Sequence, residues 1–175
     1  MFIYILILLL SLSCTFDYQQ VDEVEEVEHP DFILQKTTYH INRSSTDPLI
    51  FTADRAEFFS RKDSVILLGV TFEQVNEKGE IIIGGTADSA SIDTNTNDTI
   101  LEGNIDLRSQ TEALTIETES LYWNHEQQSL KSPDDLLVTV HYDDGSIVEG
   151  YGFNADFSKR IIEFAQMTEG VIQYE

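Results

Sequence analysis

Ile50 to Phe59, IFTADRAEFF, decides how this chain folds, because its pattern returns. Thr52-Ala53-Asp54-Arg55-Ala56-Glu57-Phe58 recurs as Thr86-Ala87-Asp88-Ser89-Ala90-Ser91-Ile92 and, more loosely, as Glu117-Thr118-Glu119-Ser120-Leu121-Tyr122-Trp123. Asp54 to Asp88 is 34 residues, Asp88 to Glu119 is 31, and Ala155-Asp156 closes a degenerate fourth copy 37 residues further on. Between the copies lie second apolar segments, Val65 to Phe72, Thr99 to Leu107 and Leu136 to Tyr142, of which the first two carry Gly69 and Gly103. A fixed period of this size marks units too small to bury an apolar face alone, which must stack on their neighbours. Function is then expected along a surface that all copies share.

From Asp31 onward apolar and polar residues alternate with period two, and no long window has helical periodicity. Asn76 to Gly79, Asp93 to Asp98 and Asp143 to Gly145 read as hairpin turns, giving an all-β chain of about a dozen short strands. Ile66, Leu68, Val70 and Phe72 make one wholly apolar face, and Val65 and Leu67 help to make the other, so this strand is expected to be covered on both sides near its middle. Inside the recurring motif the apolar parity switches. Leu49, Phe51 and Ala53 share one parity and Ala56 and Phe58 the other, as do Leu114 and Ile116 against Leu121 and Trp123. A straight strand cannot do this without turning side chains into water, so a bulge or bend is expected at Asp54, Asp88 and Glu119. The expected object is a roll of two antiparallel sheets facing each other over an apolar interior.

The 175 residues suit one domain, and 32 Asp and Glu against ten Lys and Arg give a formal charge of −22. Such a surface repels phosphate backbones, which excludes nucleic acid as a natural partner. Residues 2 to 13, FIYILILLLSLS, form an apolar run of 12. A membrane-spanning helix needs about 20, but the run suits the core of a signal peptide. Leu10-Ser11-Leu12-Ser13-Cys14 then resembles a bacterial lipoprotein signal, in which residues 1–13 are removed and Cys14 becomes the lipid-modified first residue. An ordinary cleaved signal and a short uncleaved anchor are the alternatives, and no Lys or Arg precedes the run. Residues 14–31 follow as an acidic tether, with seven acids between Thr15 and Asp31 and Pro30 near its end. Residues 32–175 make the folded domain.

The sequence offers no constellation for catalysis. Asp93, Asn95 and Asn97 have the alternate spacing of calcium-loop ligands, but Asp98 stands where that loop needs Gly and Asn104 where it needs a bidentate Glu. His29, His40, His125 and His141 contain no pair at zinc spacing. Nucleophile-elbow, P-loop and dinucleotide fingerprints are absent, and carboxylate pairs in so acidic a chain single out no acid-base site. Neither an enzyme, nor a metal site, nor a cofactor is expected.

The ordered set LIFTADRAEFF (Leu49 to Phe59), TADSASI (Thr86 to Ile92), Leu101-Glu102-Gly103-Asn104-Ile105, Thr118 to Trp123 and Gly150-Tyr151-Gly152-Phe153-Asn154-Ala155-Asp156 resembles the LptC family of lipopolysaccharide-transport proteins, within the wider OstA-like group. The resemblance spans about residues 30 to 175. It implies an open β-jelly roll at the periplasmic face of the inner membrane, which takes lipopolysaccharide or a related glycolipid from an ABC transporter of LptF/LptG type and passes it along a bridge of similar rolls. On this reading the first strand region, Phe32 to Ile41, meets the transporter, and the last, Ile161 to Tyr174, meets an LptA-like bridge protein, each by added strands. Many members carry a transmembrane helix where this chain offers Cys14.

A groove for acyl chains is expected among Phe58, Ile66, Leu68, Phe72, Ile92, Leu101, Ile105, Leu121, Trp123 and Val140. Each buried CH₂ contributes about 0.8 kcal/mol, so partial burial of a fatty tail suffices without a catalytic group. In an open groove Ile105 and Leu121 would tolerate a charge. The alternative is that these residues pack on one another, in a lipoprotein that binds a protein partner and carries no lipid.

Overall fold

The computed structural model of the chain describes residues 29–43 and 46–171. The leader, Cys14, nearly all of the tether and the last four residues therefore lie outside the described residues. Ten strands follow in order: β1 (Phe32–Arg43), β2 (Thr46–Phe59), β3 (Ser64–Val75), β4 (Ile81–Asp93), β5 (Thr99–Ser109), β6 (Leu114–Asn124), β7 (Ser129–Lys131), β8 (Leu137–Tyr142), β9 (Ile147–Asp156) and β10 (Ile161–Val171). A single 3-10 turn, Ser60–Lys62, joins β2 to β3, and the described residues contain no α-helix.

Every strand pairing is antiparallel, and all ten strands belong to one sheet that runs from β1 to β10. The two expected layers are halves of this one sheet. β7 and β8 are successive pieces of a single crossing, both lying between β6 and β9. Their gap at 132–136 is held by Ser132, whose amide donates to the Phe153 carbonyl at 3.0 Å and whose Oγ accepts the Phe153 amide at 3.1 Å.

The sheet is creased along one line that crosses every strand. In β2 the buried residues are Phe51 and Ala53 before Asp54 and Ala56 after it, and in β4 they are Ala87 before Asp88 and Ala90 and Ile92 after it. In β6 Leu114, Ile116 and Thr118 give way to Leu121 beyond Glu119. The parity switch expected at the three acids is therefore present. The backbone device that produces it, however, sits mainly on the strands between them. Left-handed residues alternate with the acids: Lys36 at φ 49° in β1, Gly69 at 62° in β3, Gly103 and Asn104 at 77° and 46° in β5, and Gly152 at 63° in β9. In β5 the left-handed pair forms a bulge, two residues lying opposite Glu119 alone, so β5 keeps one buried parity while its neighbours change theirs.

This geometry corrects the face assignment of β3. Val65 and Leu67 point inward before Gly69 and Val70 and Phe72 after it, so Ile66 and Leu68 lie on the outer face, Leu68 being 37% exposed. The apolar alternation runs through Gly69 without a break in the sequence, but the left-handed glycine turns the pleat over.

Candidate functional site

The repeated motif builds the crease on both of its surfaces. Inside, Ala53, Ala56, Ala87 and Ala90 flank the crease and are all buried. Outside, each acid lies over the left-handed residue of the next strand. A Cβ on Gly69 would come within 2.6 Å of Asp54 Oδ2, and one on Gly103 would collide with the Asp88 carboxylate. Asn104 completes the β5 bulge, its Nδ2 donating to Asp88 Oδ2 at 2.8 Å and its amide to Glu119 Oε2 at 3.3 Å.

Between the half-sheets runs a narrow apolar cleft of about 60 Å³. One wall comes from the half-sheet on the β3–β4 turn side: Leu49, Phe51, Phe72, Gln74, Ile83 and Leu107. The other comes from the opposite half: Thr99, Leu101, Trp123, Leu130 and Phe157. Only Gln74 and Thr99 bring polar side-chain oxygens or nitrogens beside the indole nitrogen. Each wall carries an aromatic pair, Phe51 with Phe72 at 6.0 Å and Trp123 with Phe157 at 5.8 Å between ring centroids. The lining residues lie on β2 to β7 and in the turn that follows β9.

Of the ten residues expected to form a groove, the cleft gathers Phe72, Leu101 and Trp123. Ile92, Leu121 and Val140 are fully buried and Ile105 is 2% exposed, all within the core. Ile105 and Leu121 are therefore not open enough to accept a charge. Phe58 is half-buried at the β1 side, stacked on Phe32 with centroids 4.2 Å apart, and Ile66 and Leu68 face outward. The lining residues not anticipated were Leu49, Phe51, Ile83, Leu107, Leu130 and Phe157, with Gln74 and Thr99. Gly69 and Gly103 held the missing signal, each following its acid, Asp54 or Asp88, by 15 residues.

Ionisable groups cluster on the outside and in the turns. Burial raises the Tyr39 and Tyr142 hydroxyls above their ordinary value, so both stay neutral donors. Asp93 is held below the usual carboxylate range by the Thr96 and Asn95 amides that cap its turn. Among the described residues no group of His, Cys, Asp and Glu is arranged to hold a metal ion. No helix among them is long and apolar enough to cross a membrane.

The family model for lipopolysaccharide-assembly, LptC-related proteins matches residues 2–173. The chain belongs to the LptC family. As such it is a non-enzymatic component of periplasmic lipopolysaccharide transport. Among solved structures it is similar to LptH of Pseudomonas aeruginosa, the LptA-homologous periplasmic component of the lipopolysaccharide transport device. The identity is 16%, the match covers 73% of this chain and 96% of that one, and the TM-score is 0.54. At that identity the likeness concerns the fold: the creased antiparallel roll of this LptC-family chain is that of an LptA-like jelly roll. No curated protein sequence matches the chain.

Proposed function

We propose that this LptC-family chain carries the fatty tails of lipopolysaccharide, or of a related glycolipid, through the cleft between its two half-sheets. The sugar head group stays in water, since an exterior at −22 does not attract phosphorylated sugars. The cleft carries the reading: two walls, one from each half-sheet, nearly all apolar. The roll is tethered to the inner membrane by lipid on Cys14, with residues 14–31 as spacer. Its β1 edge meets the ABC transporter of LptF/LptG type and its β10 edge an LptA-like bridge protein, both by strand addition. The unpaired outer edges of β1 and β10 support this.

Site-specific photocrosslinking in cells tests the reading. A photoreactive residue at Phe72 or Leu101 is expected to give a lipopolysaccharide adduct, and one at the outward-facing Leu68 none. Adducts to proteins alone from all three positions would remove lipid carriage. They would favour the second reading, a lipoprotein that binds a protein partner, which one observation supports: the cleft holds only about 60 Å³.

A further inference from the structure

We infer that Gln74 and Thr99 select the cargo of the cleft by hydrogen-bonding the linkage through which a fatty tail joins its sugar, and that an amide linkage fits them better than an ester. This rests on the reading that fatty tails enter the cleft, and adds which tails it prefers. Eight of the eleven lining side chains carry no polar atom. The three that do, Gln74, Thr99 and Trp123, all stand at strand ends: Gln74 is last but one in β3, Thr99 first in β5, and Trp123 last but one in β6, opposite Thr99 in the register. Phe72 and Leu101 come two residues nearer the crease on the same strands as Gln74 and Thr99. The cleft therefore has an apolar interior and a polar lip, which is the order of groups in an acyl chain attached to a sugar.

Local folding does not call for a polar side chain at position 74. The inward residues before it on β3 are Val65, Leu67, Val70 and Phe72, and its partners on either side, Leu49 on β2 and Ile83 on β4, are apolar and line the same cleft. A leucine would continue both patterns. The pairing with β4 also slips just beyond Gln74, where Ile82 is an extra residue, and a bulge at a rim re-aims the side chains beside it. Thr99 has a structural duty, its hydroxyl donating to the Asn97 carbonyl at 3.4 Å in the β4–β5 turn, but this uses the hydrogen and leaves the oxygen able to accept.

The lip thus holds both kinds of hydrogen-bonding group. Gln74 brings a carbonyl and two N–H donors, Trp123 an N–H donor, and Thr99 an acceptor. A secondary amide offers one donor and one acceptor, so both of its groups find a match. An ester offers acceptors alone and leaves the Thr99 oxygen unmatched, and an alkane matches nothing. A site built to hydrogen-bond its ligand discriminates against an analogue that leaves those groups unpaired.

Trp123, the only tryptophan of the chain, reports binding by its fluorescence. The full chain in a steroid detergent, which has no alkyl tail to compete, is titrated with N-methyldecanamide, methyl decanoate and undecane. Gln74→Leu should weaken the amide and the ester about fivefold each and leave undecane unchanged. Thr99→Val should weaken the amide alone, again about fivefold, and Thr99→Ser should keep the parent affinity for all three probes. Undecane binding by each variant shows that it folds. Equal losses for all three probes would give both residues a purely structural role, and unchanged affinities would give them none; either result overturns the inference and leaves lipid carriage standing. If no probe binds the parent chain, the inference and the carriage reading fall together.

Discussion

At the scale of single residues the fold rests on pairs that join a carboxylate to a left-handed backbone. Gly69 has φ 62° and Asp54 lies where its side chain would go. Gly69→Ala should therefore cost about 1–3 kcal/mol from the forced left-handed conformation alone, lowering Tm by about 2–4 °C per kcal/mol. Adding Asp54→Ala relieves the collision but not the backbone strain, so thermal melts should show partial recovery; full recovery would mean that φ is not the constraint. The β9–β10 turn gives a second residue-scale expectation. Lys159 Nζ donates to Asp156 Oδ2 at 2.6 Å, and the Ser158 hydroxyl and the Lys159 amide donate to Oδ1, so the Asp156 carboxyl is held well below the usual carboxylate range, chiefly by the Lys159 side chain. A depressed folded value stabilises the fold above the unfolded pKa of about 4, and that contribution is lost as pH falls through the folded value. Carboxyl NMR titration should find Asp156 still ionised where ordinary aspartates have protonated. Asp156→Asn should narrow the gap in stability between pH 7 and pH 2.

At the scale of elements, the crease needs small residues inside and a pleat inversion outside. Ala56 and Ala90 are fully buried beside the crease. Ala56→Leu or Ala90→Leu should overpack the crease and cost about 1–3 kcal/mol, read as a lower urea midpoint with an unchanged slope. Ala→Leu at the outward-facing Ala165 should cost little. Strand existence and the three hairpin turns were legible in the sequence because period-two alternation and turn residues are local signals. The crease was legible too, since the apolar parity changes at Asp54, Asp88 and Glu119. What local pattern could not show is which strand holds the left-handed backbone. In β3 Val65 to Phe72 is apolar at almost every position, so the inversion at Gly69 leaves no mark on its hydropathy and Ile66 and Leu68 read as inward. Nor could it show that the two layers are one sheet, because the pairing partner of each half-strand is a matter of register across the crease. The β7–β8 interruption was invisible for a similar reason: Ser129–Lys131 is a strand of three residues held by its neighbours, not by its own alternation.

At the scale of the whole molecule, the cleft is smaller than what it is proposed to carry. About 60 Å³ is the space of a few waters, and a fatty tail of about a dozen carbons needs more than that. Carriage therefore requires the walls to part or a lining side chain to move. Phe72 is the side chain on which this turns. Its ring packs beside Phe51 on one wall and lies over Gly85, where even a Cβ would strike the ring within 2.5 Å, so it fills space that no neighbour on β4 can fill. Phe72→Ala should leave a cavity continuous with the cleft, at a cost of about 3–5 kcal/mol in stability. If the cleft is the lipid path, that cavity is apolar and takes an alkyl chain. Myristate should then raise the Tm of the variant more than that of the parent, since a ligand that binds only the folded chain stabilises it in proportion to the logarithm of its concentration over Kd. Phe153→Ala is the control. Phe153 is equally sealed but packs against Phe164 near the β10 edge, away from the cleft lining, and its cavity should not respond to the same ligand. An equal response of the two variants would show that myristate fills any hole in the core, and the cleft would lose its claim to be the path.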